Sequence, residues 1–168
     1  DALPILSSVV NPMAEDQVAA VPPSGTVTVL IPAYNVVEGL RRCIQSVEAS
    51  AERELLEILV VDKGSRDGSG QIDGEMPRVT MLRLPRNFGQ TKALNIGIRT
   101  ATGDYVLILP PEFTVAPETV AALRKYLEEH PDTIAVVPAV AGEDGVARLP
   151  VRRLPDAESL WSAWAEQK

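Results

Sequence analysis

The stretch Glu57-Ile58-Leu59-Val60-Val61-Asp62, followed at once by Lys63-Gly64-Ser65-Arg66-Asp67-Gly68-Ser69-Gly70, decides the fold class. Its apolar run is strand-length and does not alternate, which is how a strand buried on both faces of a parallel sheet reads. The polar, glycine-rich loop lies just past the strand's carboxyl end, where open α/β sheets bind their ligands.

Working outward, Val27 to Ile31 reads as an earlier strand stopped by Pro32. A helix is expected from Glu38 to Ala51, because Leu40, Cys43, Ile44 and Val47 fall at i, i+3, i+4 and i+7. That spacing makes Cys43 a small buried apolar residue rather than a reactive thiol. Downstream come a strand from Val79 to Leu84, the turn Pro85-Arg86-Asn87-Phe88-Gly89, a helix from Gln90 to Thr100 and a strand from Tyr105 to Leu109 that Pro110-Pro111 ends. Pro117 suits the first turn of a helix running to Glu129, and Pro131 stops it. A fifth strand is expected from Thr133 to Val137. Gly142-Glu143-Asp144-Gly145 reads as a hairpin turn between apolar runs. Pro155-Asp156 would cap a short helix carrying Leu160, Trp161 and Trp164. The alternation predicts an α/β fold, a three-layer α/β/α sandwich around a mostly parallel central sheet. Residues 1–25 hold four prolines and no sustained period, so they read as a linker or tail; 26–150 form the domain, and 151–168 a basic segment with the Trp-bearing helix.

Composition narrows the function classes. The 168 residues carry 16 Lys+Arg against 23 Asp+Glu, a net charge of −7, with 45% hydrophobic residues, which is globular rather than disordered. The acidic balance argues against a nucleic-acid backbone as partner, since only Arg41-Arg42 and Arg152-Arg153 form basic groups. One cysteine excludes an internal disulfide and a multi-cysteine metal site, and suits a reducing, cytoplasmic compartment. No apolar run is long enough to span a bilayer. A chain that begins at Asp1 rather than Met reads as a processed product or a fragment, so the cytoplasmic face of a membrane, within a larger chain, is the alternative location.

Four segments, in order, resemble the N-terminal half of the inverting glycosyltransferases of family 2, which have the GT-A, Rossmann-like fold. They are Val29-Leu30-Ile31-Pro32-Ala33-Tyr34-Asn35; Ile58 to Asp62 with Gly64-Ser65 and Asp67-Gly68; Asn87-Phe88-Gly89 with Ala93, Asn95 and Gly97; and Gly103-Asp104-Tyr105 through Leu109. The resemblance covers residues 26 to 140 and implies a domain truncated relative to full-length members. It also implies a nucleotide-diphosphate sugar lying across the strand ends, with Pro32, Ala33, Tyr34, Asn35 and Asp62 about its base and ribose, beside Lys63 and Gly64. A plain turn remains the alternative for Tyr34 and Asn35, and a loop-capping carboxylate for Asp62. Asn87 and Gly89 enter the following helix, whose first N–H groups suit an anion. Lys92 offers a charge to a phosphate, although a solvated lysine explains it more simply. Ala93 and Gly97, four apart, make a small-residue stripe for close packing.

The pattern also departs from the family. Family members hold Mg²⁺ or Mn²⁺ with an Asp-any-Asp motif after the fourth strand, and here that position reads Pro110-Pro111-Glu112. Glu112 is the remaining candidate ligand, with an exposed loop glutamate the plainer reading. Lys63 stands where a second Asp is common, and could pair with Asp62 or reach a phosphate; Val36-Val37 replace acidic residues, leaving Glu38. The general base of such enzymes lies in a second half. Here Glu143 and Asp144 read as a turn, His130 as a helix terminus, and Trp161 and Trp164 as cover for a sheet face, so no residue is assigned a catalytic role. The expectation is a family 2-like domain that binds a nucleotide-sugar donor and is impaired or inactive alone. The alternatives are part of an active transferase whose acceptor half is absent, and a non-catalytic pseudoenzyme module of polysaccharide biosynthesis. Such a module could meet a membrane-bound glycan synthase or another protein through the Trp helix.

Overall fold

The computed structural model describes residues 25–142 and 144–148. Four strands, β1 (Val27–Ala33), β2 (Leu56–Asp62), β3 (Val79–Arg83) and β4 (Tyr105–Ile108), form one parallel sheet in the order β3-β2-β1-β4. β1 and β2 run in register from Val27 opposite Leu56 to Ala33 opposite Asp62, so both strands end at the same level. Helices α1 (Val37–Glu48), α2 (Gln90–Thr100) and α3 (Thr119–Glu129) connect and cover them.

The strand order explains the layers. The chain moves one way from β1 through α1 to β2, and the other way from β3 through α2 to β4. Right-handed crossovers therefore place α1 and α2 on opposite faces. Alternating residues follow this division: Val27, Val29, Ile31, Ile58 and Val60 pack with Leu40, Cys43, Ile44 and Val47 of α1 and Val120 of α3. Leu30, Leu59 and Val61 pack with Ala93 of α2. The result is the expected α/β/α sandwich. Gly97 lies against Leu30 so closely that an added Cβ would overlap its side chain, which is the close approach the small stripe implies.

At the amino end of the sheet, Glu57 accepts hydrogen bonds from Thr28 Oγ1 (2.6 Å) and from Oγ1 and N of Thr102 (2.9 and 3.3 Å), tying β2, β1 and the segment before β4 together. Burial opposes ionisation of Glu57, but these donors hold its carboxyl below the usual range. Arg124 of α3 is buried between Glu52 (2.6 Å) and Glu128 (2.7 Å).

One expected element does not form. Thr133 to Val137 is irregular, with Ile134 fully exposed. Ile134, Ala135 and Val136 stand beside Tyr105–Leu107 across a small gap of about 130 Å³. An apolar run becomes a strand only where a ladder is made. The strands that follow are instead β5 (Val140–Ala141) and β6 (Ala147–Arg148), an antiparallel pair. Gly145 N donates to Gly142 O (2.9 Å) and Val146 N to Asp144 Oδ1 (3.0 Å), which is the hairpin turn expected there. Element ends also shift by a few residues: β1 is not stopped by Pro32 but runs through it to Ala33, since proline lacks only its own N–H, while α1 stops at Glu48 rather than Ala51 and α3 begins at Thr119, two residues beyond Pro117. The linker over 1–24, Glu143, Arg152-Arg153 and the Trp-bearing helix lie outside the described residues. Among those described, no helix is long and apolar enough to cross a membrane.

Candidate functional site

Because β1 and β2 end level, the turns that follow them meet. Lys63 N donates to Ala33 O (2.9 Å), continuing the ladder one step past the strands. Beyond it, side chains of the glycine-rich loop take up the free N–H groups of the turn after β1. Asn35 N donates to Ser65 Oγ (2.9 Å), Val36 N to Ser69 Oγ (3.2 Å) and Val37 N to Asp67 Oδ2 (2.9 Å). Arg66 N donates in return to Asn35 Oδ1 (2.9 Å). Asn35 adopts φ 51°, a left-handed conformation that asparagine tolerates better than most residues. The first turn of α1 is thus capped from another loop rather than by its own N-cap Val36. Burial raises the pKa of Asp67, but the bonds from Ser69 and Val37 outweigh it and hold the carboxyl below its ordinary value.

Asp62 closes β2 with its carboxylate buried. Both of its oxygens accept from Ser65 N (3.2 and 3.1 Å), and Gly70 lies so near that a Cβ there would sit 3.1 Å from Oδ2. In this arrangement Asp62 is a loop cap, the alternative that its sequence position left open. Tyr34 is 41% exposed at the lip above it. Gly64 adopts φ 80° with its α-carbon against the backbone of Arg86, so a side chain there would be both strained and blocked.

A second cluster gathers beside the first. Lys63 does not pair with Asp62; its Nζ donates to Gln90 Oε1 (2.9 Å) and lies 5.9 Å from the Tyr34 ring centroid. Asn87 Oδ1 accepts from Gly89 N (2.8 Å), shaping a turn in which Gly89 takes φ 90°, and α2 starts directly after it with no side-chain cap. The Phe88 ring carries the Arg86 guanidinium at 4.8 Å and Lys92 Nζ at 4.2 Å. Pro32, Ala33, Tyr34, Asn35, Asp62, Lys63 and Gly64 therefore converge, and Asn87, Gly89 and Lys92 adjoin them through Gln90. Sequence reasoning did not select Arg86 or Gln90, which flank the Asn87–Gly89 turn, nor Ser65, Asp67 and Ser69 as the side chains that fasten it to the first turn.

Glu112 stands apart. It lines a cleft of about 440 Å³ with Asn35, Glu38, Arg42, Asp67 and Pro111, on the α1 side of the strand ends. Leu109 follows β4 and its N bonds Leu30 O (3.0 Å), so Pro110 and Pro111, which come next, do occupy the carboxyl edge of the sheet. Pro111 is buried, and a Cβ on Gly39 of α1 would lie 3.1 Å from its carbonyl oxygen. Hard divalent cations need several oxygen ligands. Pro110 and Pro111 bring no side-chain donor, and among the described residues no group of three or more His, Cys, Asp or Glu could hold a metal ion. The residues present do not fit the cation that the family resemblance implies. Cys43 is buried on α1, its thiol pushed up to about 12 by burial and by the charge of Glu112. His130 Nδ1 lies 2.8 Å from Tyr126 O and its ring stacks on Tyr126, a helix-end role.

Known proteins share this architecture. A solved mannosyltransferase from Pyrobaculum calidifontis, in complex with GDP-Man and Mn²⁺, is 29% identical with a TM-score of 0.57, covering 62% of this chain and 33% of its own. TarS of S. aureus in complex with UDP-GlcNAc has a TM-score of 0.59 at 24% identity, over 62% of this chain and 32% of that one, and supports the fold. An undecaprenyl-phosphate 4-deoxy-4-formamido-L-arabinose transferase of Serratia proteamaculans is 33% identical over 126 residues, 71% of this chain and 39% of that protein. The glycosyltransferase GlyA of Streptococcus pneumoniae is 33% identical over 113 residues, 66% of this chain and 16% of that one. The chain thus spans well under half the length of these relatives. The family model described as glycosyl transferase family 2 matches residues 28–165, most of the sequence, and with the GT-A-like sheet this establishes that the chain belongs to glycosyl transferase family 2.

Proposed function

We propose that this chain is the donor-binding portion of a family 2 glycosyltransferase, and that by itself it binds a nucleotide-diphosphate sugar without transferring the sugar at an ordinary rate. The observation that carries the first half is the fastening of the Tyr34–Val37 turn to the Ser65–Ser69 loop at the level carboxyl ends of β1 and β2. A ligand resting there meets an exposed aromatic ring and backbone already held in place, so little ordering cost falls on binding. The second half rests on Pro110-Pro111 at the strand end where a metal ligand would be needed to stabilise a leaving diphosphate.

Calorimetry with UDP-, GDP- and dTDP-sugars tests binding, and a radiolabelled transfer assay tests chemistry. Saturable binding of one donor without turnover is the expected result. Metal-dependent turnover by the isolated chain would overturn the second half, and no binding of any donor would overturn the first.

Among the described residues no strand pairs with the outer edge of β4, and this favours a second reading, in which an acceptor half completes an active enzyme. Val106 and Ile108 are 38% and 45% exposed there, and the sheet order ends at β4. Restoration of transfer on adding a chain segment that carries an acidic base would support that reading.

A further inference from the structure

Lys63, Arg86 and Lys92 come from three different segments and meet on one shelf at the carboxyl edge of the sheet. Gln90 holds the Lys63 ammonium at 2.9 Å, Arg86 packs its backbone on Gly64, and Phe88 carries both Arg86 and Lys92 on its ring. None of the three forms an ion pair among the described residues, unlike Arg41, Arg53, Arg83, Arg124, Lys125 and Arg148; Arg42, Arg66, Arg78 and Arg99 are likewise without one, and it is the meeting of three such cations on one shelf that sets this place apart. Unpaired cations concentrated in a chain of net charge −7 are a local reversal of sign, and such a reversal attracts an anion. The amino end of α2 adds to it. No side chain caps that helix, so the N–H groups of its first turn have no intrahelical acceptor, and the space beside Gly89 is open, since an added Cβ would meet nothing within 4 Å.

We infer that this shelf is a metal-free diphosphate site: Lys63, Arg86 and Lys92, with the uncapped first turn of α2, neutralise the donor's diphosphate in place of a divalent cation. The inference rests on the donor-binding reading above and deepens it. It also accounts for the mismatch at the strand end. Lys63 places a positive charge next to Asp62, and Pro110-Pro111 supply no side-chain oxygen, so both substitutions disfavour a cation while the first supplies its electrostatic replacement. Arg86 and Lys92, held on an aromatic face rather than by a carboxylate, can turn to a phosphate without breaking an ion pair.

The test is calorimetric titration of the full chain with inorganic pyrophosphate, with UDP, GDP and dTDP, and with the matching nucleosides, first in EDTA and then with Mn²⁺. Pyrophosphate and one nucleoside diphosphate are expected to bind in EDTA with no more than about a twofold gain from Mn²⁺. Each of Lys63→Gln, Arg86→Ala and Lys92→Ala should weaken both ligands about tenfold, the loss of one charge-assisted hydrogen bond, while the nucleoside's affinity is unchanged. Circular dichroism of each variant checks that the exposed substitutions leave the fold intact. Nucleotide binding that requires Mn²⁺, or that survives all three substitutions, would overturn the metal-free site and leave donor binding standing. Pyrophosphate binding that the variants abolish, with no nucleotide bound under any condition, would instead overturn the donor reading and leave only an anion site.

Discussion

Replacing Gly97 by alanine probes how the α2 layer is set against the sheet. In an exposed helix this change stabilises by about 1 kcal/mol, because alanine loses less backbone entropy. Here the new methyl would lie 2.7 Å from Leu30 Cδ2 and 3.0 Å from Cγ, with Cδ1 nearer still. Carbon atoms pack at about 3.5–4.0 Å, so α2 or Leu30 must retreat by about 1 Å. Overpacking of a close-packed interior costs about 1–3 kcal/mol, and with Leu30 fully buried at the centre of the sheet the upper end applies. Subtracting the propensity gain leaves a net loss of about 2 kcal/mol, which for a chain of this size lowers Tm by about 4–8 °C. Urea unfolding followed by circular dichroism reads the change as a lower midpoint at constant slope. In a Leu30→Ala background, itself about 3 kcal/mol less stable, Gly97→Ala should become stabilising, because the atoms it struck are gone. A Gly97→Ala variant that unfolds at a higher urea concentration than the parent would refute the close approach of α2 to β1. Retreat of α2 also displaces Lys92 and Gln90, so pyrophosphate affinity should fall in the single variant.

Other consequences are more local. Glu57 and Asp67 both have folded pKa values held below their unfolded ones, so their contribution is present above the ordinary carboxylate pKa and is lost as pH falls through the folded value. Acid unfolding below about pH 4 should accordingly flatten in Glu57→Gln, measured as stability against pH. Arg124→Ala should cost about 1–3 kcal/mol in urea unfolding, since Glu52 and Glu128 lose a buried partner while keeping partial access to water; equal stability would show the triad to be idle. A thiol reagent should leave Cys43 unmodified in native buffer near pH 7 and react stoichiometrically in urea, because burial pushes the thiol up to about 12 and shields it. Rapid labelling of the native chain would contradict the packing of α1 against β1.

The α/β class, the four strands of the sheet and the three helices over residues 25–130 follow from the sequence alone. An unbroken apolar run and a 3.6-residue apolar period are local signals that tertiary context does not reverse here, whereas Pro32 does not stop its strand: it lacks only its own N–H, and β1 stays in register with β2 through it to Ala33. The resemblance of the strand-end turns to family 2 was legible for the same reason: residues that bend a chain out of a strand must be particular ones. The fate of Thr133–Val137 was not legible, because a strand is a relation between two backbones, and the sequence does not say which edge has a partner. Nor could it show that Asp62 turns inward to cap its own loop, or that Lys63 reaches past Asp62 to Gln90. Those outcomes depend on distances between segments far apart in the chain. The net charge of −7 argued only against a nucleic-acid backbone and could not show where an anion would rest; only the tertiary structure brings Lys63, Arg86 and Lys92 together, because electrostatic potential follows where charges stand and not how many there are.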